Sequence, residues 1–318
     1  MSIKVSIFIW LFSSVFCFAQ TDSTKIPFVA YWSKGDHYDY LITKINKESS
    51  GEVLQKEDST SYFATFTVID STENSYKINW KYKTSFESLP IQFGELLNNN
   101  SVILDFVYTT NELGEFIGVE NWKEIADYMK SILNEEISKV TLNNPYIDIE
   151  KFNAAMAPFL NIFTSKEGIE SVVLRELNYF HFPFGVELDP KIVFEYEDEL
   201  PNFFEGEEPL KGLSQIQFDS VDGENTFCIF THKLSIRPDS AKKFLNKIMD
   251  VMNLNTKEVI EELNSGNLVF SENNYFEYFY NPGVPYFIEA NRLIELDAGS
   301  MQNKKEEIIR IELILDED

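Results

Sequence analysis

The chain has 318 residues, with 52 Asp and Glu against 27 Lys and Arg, for a net charge of -25. Such a surface repels phosphate backbones and anionic headgroups, which argues against nucleic acid as a partner. Hydrophobic residues at 44% and aromatic residues at 15% supply a packed core, so the charge does not signal disorder.

Residues 1–19 read as a cleaved secretory signal peptide. Lys4 gives the positive charge, and an apolar run from Val5 to Phe18 follows, broken only by Ser6, Ser13 and Ser14. The run is shorter than the ~20 apolar residues of a spanning helix, and no later stretch is apolar enough, so no membrane span is expected. Cys17 and Ala19 are the small residues a signal peptidase reads, which puts the new terminus at Gln20. Phe16 stands where a lipoprotein signal carries a small residue, so the expected product is periplasmic or extracellular and soluble rather than lipid-anchored. Cleavage leaves Cys228 alone, and a single thiol makes no internal disulfide. It lies in Phe227-Cys228-Ile229-Phe230, an apolar run where a buried, inert thiol is expected.

A strand is predicted at Phe28 to Trp32, joined to His37 to Ile45 across the turn Ser33-Lys34-Gly35-Asp36. Tyr62, Ala64, Phe66 and Val68 alternate with their neighbours, and after the turn at Asp70 to Ser75 the pattern resumes. Tyr76, Ile78, Trp80 and Tyr82 then stand opposite Lys77, Asn79, Lys81 and Lys83, as in an antiparallel sheet wet on one side. Strands at Val102 to Thr109 and Glu115 to Val119 follow. Asn121 then caps a helix carrying Trp122, Ile125, Ala126, Met129, Ile132 and Leu133 at helical spacing. Two further helical patterns, Ile149 to Phe163 and Lys166 to Phe180, complete a helical insertion at about 121–184 that Pro183 and Gly185 close.

Strands return at Ile192 to Tyr196, Leu213 to Ser220 and Thr226 to Ile236, the last two joined at Asp222-Gly223. A helix follows Asp239 or Ser240, with Ala241, Phe244, Leu245, Ile248, Met249 and Met252 on one face, and a shorter one follows Thr256. Closing strands are predicted at Tyr275 to Tyr280, Tyr286 to Leu296 and Glu306 to Leu315. No long βαβ alternation is present. The expectation is therefore one exported α+β domain over residues 20–318, a curved antiparallel sheet with helices packed on one face and a helical insertion.

Three turn segments carry a resemblance: Trp32-Ser33-Lys34-Gly35-Asp36 before a Tyr-rich strand, Tyr108 to Gly114 leading into Asn121-Trp122, and Tyr280-Asn281-Pro282-Gly283-Val284-Pro285. Together they resemble exported proteins of unknown function from Bacteroidetes. Some of these are similar in strand order to the curved antiparallel half-barrels of periplasmic lipoprotein carriers. The resemblance implies compartment and fold rather than activity.

Chemistry is sparse. The 3 histidines, His37, His181 and His232, show no metal-ligand spacing and no cysteine pair exists, so neither a metal nor a cofactor is expected. Cys228 and His232 share a strand face, but four residues of strand span about 13 Å, too far for a nucleophile–base dyad. Glu195 and Glu197 flank Tyr196 about 7 Å apart, within the range of a glycosidase pair, but the acidic run that contains them reads as a solvated edge or loop rather than a catalytic pair. No catalytic residue is assigned. Aromatic clusters are more suggestive: Phe180, Phe182 and Phe184 alternate where the insertion rejoins the sheet, and Tyr278, Tyr280 and Tyr286 crowd one hairpin. Rings on both faces of a hairpin need cover, whether from helices of the chain itself, an apolar small molecule or a protein partner. These six residues are the candidate ligand-binding set. The first expectation for function is a non-enzymatic exported protein acting by binding or assembly in the cell envelope. The second is a carrier of a lipid or other apolar small molecule, and the third a hydrolase using Glu195 and Glu197.

Overall fold

The computed structural model describes residues 25–82, 105–143, 157, 160–161, 164–170, 175–200, 207–252, 266–298 and 301–315. The leader, the helix after Thr256 and nearly all of the helix predicted at 149–163 lie outside the described residues. In chain order come β1 (Ile26–Pro27), β2 (His37–Ser50), β3 (Val53–Ser71), β4 (Ser75–Tyr82), β5 (Asp105–Asn111) and β6 (Phe116–Val119). Helices α1 (Trp122–Asn143), α2 (Lys166–Gly168) and α3 (Arg175–His181) follow, then β7 (Glu187–Leu188), β8 (Phe194–Leu200), β9 (Leu210–Asp222) and β10 (Phe227–Ile236). The chain closes with α4 (Pro238–Met252), β11 (Asn267–Phe279), β12 (Val284–Ala298) and β13 (Met301–Leu313).

Eleven of these strands form one antiparallel sheet in the order β6-β5-β4-β3-β2-β13-β12-β11-β10-β9-β8. The chain meanders from the middle of the sheet to one edge, crosses through the helices to the other edge, and meanders back, so that β2 and β13 pair at the centre. This corrects the expected α+β class: the protein is mainly β, one large antiparallel sheet with few helices. The error has a physical source, because strands are longer than their apolar alternation. β2 runs on to Ser50 and β3 begins at Val53, through Lys47, Glu48, Lys56, Glu57 and Asp58. β11 begins at Asn267 and β13 at Met301 in the same way. Polar strand ends leave no period-two apolar signal to detect.

The sheet curls around residues 26–32. Trp32 packs on Phe66 of β3 at 5.0 Å and Tyr76 of β4 at 5.2 Å, while its indole Nε1 donates to the Gly283 carbonyl between β11 and β12 at 3.0 Å. In a flat sheet β4 and that turn would stand about 21 Å apart, more than one indole can bridge. Phe28, on the same segment, packs on Phe218, Phe230 and Tyr278. Among the described residues no ladder joins β6 to β8, so the sheet is an open trough with a concave face and two edges. Its core lies in the concavity, where Tyr40, Ile42, Tyr62, Phe66, Trp80, Tyr108, Phe230, Phe276 and Ile288 are buried. A small second cluster forms where α4 packs on β9 and β11, around Leu210, Leu234, Ile236 and Ala241. No described helix is long and apolar enough to cross a membrane.

Candidate functional site

The concave face changes character along the strands. Beyond its apolar end, the pairs Asn46↔Glu307, Glu307↔Arg292 and Arg292↔Glu272 lay a polar row across β2, β13, β12 and β11. Asn274, one step along β11, faces His232 of β10. Alternation turns all these side chains inward, on the face that carries Ile42, Ile309, Ala290 and Phe276.

Helix α3 lies in the trough and ties itself to this row. Its two turns put Arg175 and Tyr179 on one side and Glu176 and Phe180 on another. Arg175 Nη1 donates to Glu307 at 2.7 Å, and the Tyr179 hydroxyl donates to Glu272 at 3.3 Å. Glu272 also accepts from Arg292 Nε at 2.7 Å. Glu176, fully buried, accepts from Lys44 Nζ at 3.0 Å, from the Tyr62 hydroxyl at 3.2 Å and from the Tyr82 hydroxyl. His181 Nδ1 lies 2.9 Å from the Gly114 carbonyl and Nε2 lies 2.8 Å from the Tyr108 hydroxyl. Since a carbonyl only accepts, the proton sits on Nδ1 and the tyrosine donates to Nε2. Gly114 is suited to this meeting: its φ of +95° is in the left-handed region, and a Cβ there would come within 2.7 Å of the Phe184 ring.

The electrostatics are those of an anchor. Burial pushes the Glu176 carboxyl up, but Lys44 and the Tyr82 hydroxyl outweigh it and hold the group below the usual carboxylate range. Glu272 behaves likewise under Arg292, and Glu307, opposed by burial, is pulled down to about 2 by Arg175 and Lys305. Burial lowers both His181 and His232 to about 4, so both rings are neutral at physiological pH. A carboxylate held ionised is a poor proton acceptor and a histidine neutral to about pH 4 is a weak base. What these groups do together is fix α3 in the sheet.

The candidate residues separate into four settings. Phe180, Phe184 and Tyr278 are buried in the core: Phe180 packs on Tyr40, Phe66 and Trp80, and Phe184 lies between Trp32 and Tyr278. Phe182, half-buried, stacks on Phe276 and His232. Tyr280, in the β11–β12 turn, directs its hydroxyl to the Asp222 carbonyl. Tyr286 stands on the opposite, convex face with Phe227 and Phe279, so the six do not line one site.

The other sequence candidates disperse as well. Glu195 and Glu197 project into solvent from the convex face of β8, where Glu195 accepts from Gln215 and Glu197 from Arg237. No cleft floor lies beneath them. Burial pushes the Cys228 thiol up to about 12, and His232 turns instead to Ser214 and Asn274 at 3.2 Å each. Among the described residues no group of three or more His, Cys, Asp or Glu could hold a metal ion. An open cleft of about 370 Å³ runs beside α1, lined by Trp122, Lys123, Ala126, Asp127, Lys130, Asn134, Leu160 and Thr164. Sequence reasoning missed the anchoring set. Its one visible signal was Glu176 inside the apolar stripe Ile169, Val172, Val173 and Leu177, a charge that a buried helix face carries only when paired.

Neither a protein-family model nor a curated protein sequence matches the chain. Among solved structures it is similar to Ail, the attachment invasion locus protein of Yersinia pestis, at 7% identity over 89% of this chain and 100% of that one. The TM-score is 0.14, too low to relate the two folds.

Proposed function

We propose that the protein is a non-enzymatic, exported component of the cell envelope that acts by binding or assembly through its outer surface and edges. The observation that supports this reading is the filling of the trough by the chain itself. Residues 26–32 thread it with their backbone matched: Phe28 N–H donates to the Val186 carbonyl, Ala30 N–H to Leu113, and Tyr31 N–H to Pro282. Helix α3 fills the rest with Phe180 and its ion pairs. A lipid carrier needs a vacant apolar cavity of several hundred Å³; here Phe180, Phe184 and Tyr278 pack on the protein's own rings. The solvated positions of Glu195 and Glu197 likewise give no support to a hydrolase.

Native mass spectrometry of protein purified from its own envelope tests both parts of the reading. The expected polypeptide mass begins at Gln20, alone or with a bound protein. A stoichiometric adduct of lipid mass would overturn the surface reading, and an uncut leader would overturn export.

A further inference from the structure

The two edges of the sheet are treated differently. At β6 the Val119 N–H is taken by Glu170 at 2.7 Å, and Lys166 lies over Gly118 close enough that a Cβ there would meet its Nζ at 2.8 Å. That edge is closed by the chain's own side chains. At β8 the described residues provide no such cover; Ile192 and Val193, which lead into it, are 58% and 45% exposed, and Phe194, its first residue, is 42% exposed.

The direction of the β8 backbone follows from its neighbour. Lys211 pairs with Glu199, yet its N–H goes to the Ser240 hydroxyl and its carbonyl accepts from Arg237 N–H, both on the side away from β8. Glu199 is therefore in a non-hydrogen-bonded pair, and by alternation Glu195, Glu197 and Glu199 turn their N–H and C=O groups to the side away from β9. Glu199 N–H folds back on the Asp198 carboxylate at 2.8 Å, while the described residues place no partner on the edge groups of Glu195 or Glu197. The same three residues send carboxylates to the convex face, about 7 Å apart. Phe194, Tyr196 and Leu200 lie on the concave side, opposite Ile216, Ser214 and Leu210.

We infer that β8 is a docking edge for an extended segment in which Lys or Arg alternates with apolar residues. The segment adds a twelfth strand through the backbone groups of Glu195 and Glu197. Its basic side chains meet Glu195 and Glu199 on one face, on either side of Glu197, which Arg237 already holds, and its apolar side chains cover Phe194, Tyr196 and Leu200 on the other, around Asp198, which accepts from Ser214. A second copy of this chain is a poor occupant, because β8 against β8 would set glutamate rows face to face. The inference rests on the surface-binding reading and names the partner's chemistry.

The test uses the mature full chain and a fluorescein-labelled ten-residue peptide of five Lys-Val repeats, read by fluorescence anisotropy. Two controls are a peptide of five lysines followed by five valines and one of five Glu-Val repeats. Lys-Val repeats are expected to bind at least about tenfold more tightly than either control, with affinity falling as salt rises. Glu197→Pro deletes an outward N–H while sparing the β8–β9 ladder, and is expected to weaken binding about five- to tenfold with an unchanged thermal midpoint. Equal binding of the blocked peptide, or full binding by a folded Glu197→Pro protein, would overturn the inference. Should that variant fail to fold, Glu195→Gln with Glu199→Gln serves: it is expected to lose the preference for Lys-Val over Glu-Val, and an unchanged preference is equally fatal. These outcomes bear on the edge alone, whereas a lipid adduct bears on the broader reading.

Discussion

Replacing Glu176 by Gln tests whether α3 is held by charge or merely packed. The amide keeps the size of the carboxylate and can still accept from Tyr62 and Tyr82, but its NH₂ group then faces Lys44 Nζ, a donor against a donor. Lys44 is only 13% exposed at its side chain, so its ammonium cannot recover full hydration. Breaking a buried pair from one side costs about 3 kcal/mol or more. In a domain of this size that corresponds to a fall of roughly 5 °C in thermal midpoint. Urea unfolding, followed by the fluorescence of the buried Trp32 and Trp80, gives the free energy directly. Adding Lys44→Met removes the orphaned charge, and the double variant is expected to regain most of the loss. A loss under about 1 kcal/mol in the single variant, or a double variant as unstable as the sum of its parts, would refute the argument.

The histidines predict a steep acid response. His181 and His232 titrate near 4 in the fold and near 6.5 unfolded, so the unfolded chain takes up their protons first. Their contribution is complete above about pH 6.5 and is lost as pH falls toward 4, about 2 kcal/mol each at pH 5. Urea titrations at pH 7.5 and 5 measure it, and equal stabilities would contradict the neutral buried rings. Phe180→Ala empties the meeting point of Tyr40, Phe66 and Trp80 and should cost about 3–5 kcal/mol by the same assay. Cys228, buried with its thiol raised to about 12, should stay unreactive to a thiol-specific disulfide reagent until the protein unfolds; stoichiometric reaction of native protein would show the strand to be open.

The inner halves of the strands were legible in the sequence, and the outer halves were not. Tyr62 to Val68 and Tyr76 to Tyr82 alternate because one face of each is buried in the trough, and both fall within observed strands. Within the stretch from Pro27 to Tyr82, which reads as a β meander, residues 46–61 yield no strand of their own, because apart from Val53 and Leu54 their side chains are polar on both faces. Their strand pairing is set by register with β13 and by the hairpin at Gly51 rather than by burial. The helical pattern over Lys166 to Phe180 gave the location of α3 but not its role. Which lysine meets Glu176 depends on a contact 132 residues away in sequence, and no local spacing carries that information. For the aromatics, alternation puts rings on both faces of the β11–β12 hairpin, but only the tertiary structure tells that Tyr278 is enclosed and Tyr286 is not.

The pairing of β2 with β13 has a kinetic consequence. Each half of the sheet is a meander whose neighbours in space are neighbours in sequence, and each can form early with little loop-closure entropy. The seam between them joins residues more than 250 positions apart, from Ser50↔Asn303 to Tyr40↔Leu313. It is the contact of highest sequence separation and so the natural last step. Until it forms, β2 presents an unpaired edge carrying Tyr40 and Ile42 in the middle of what will become the core. The final strand thus acts as a latch: folding cannot be completed from the amino end, and the half-built sheet is the species most open to misassociation.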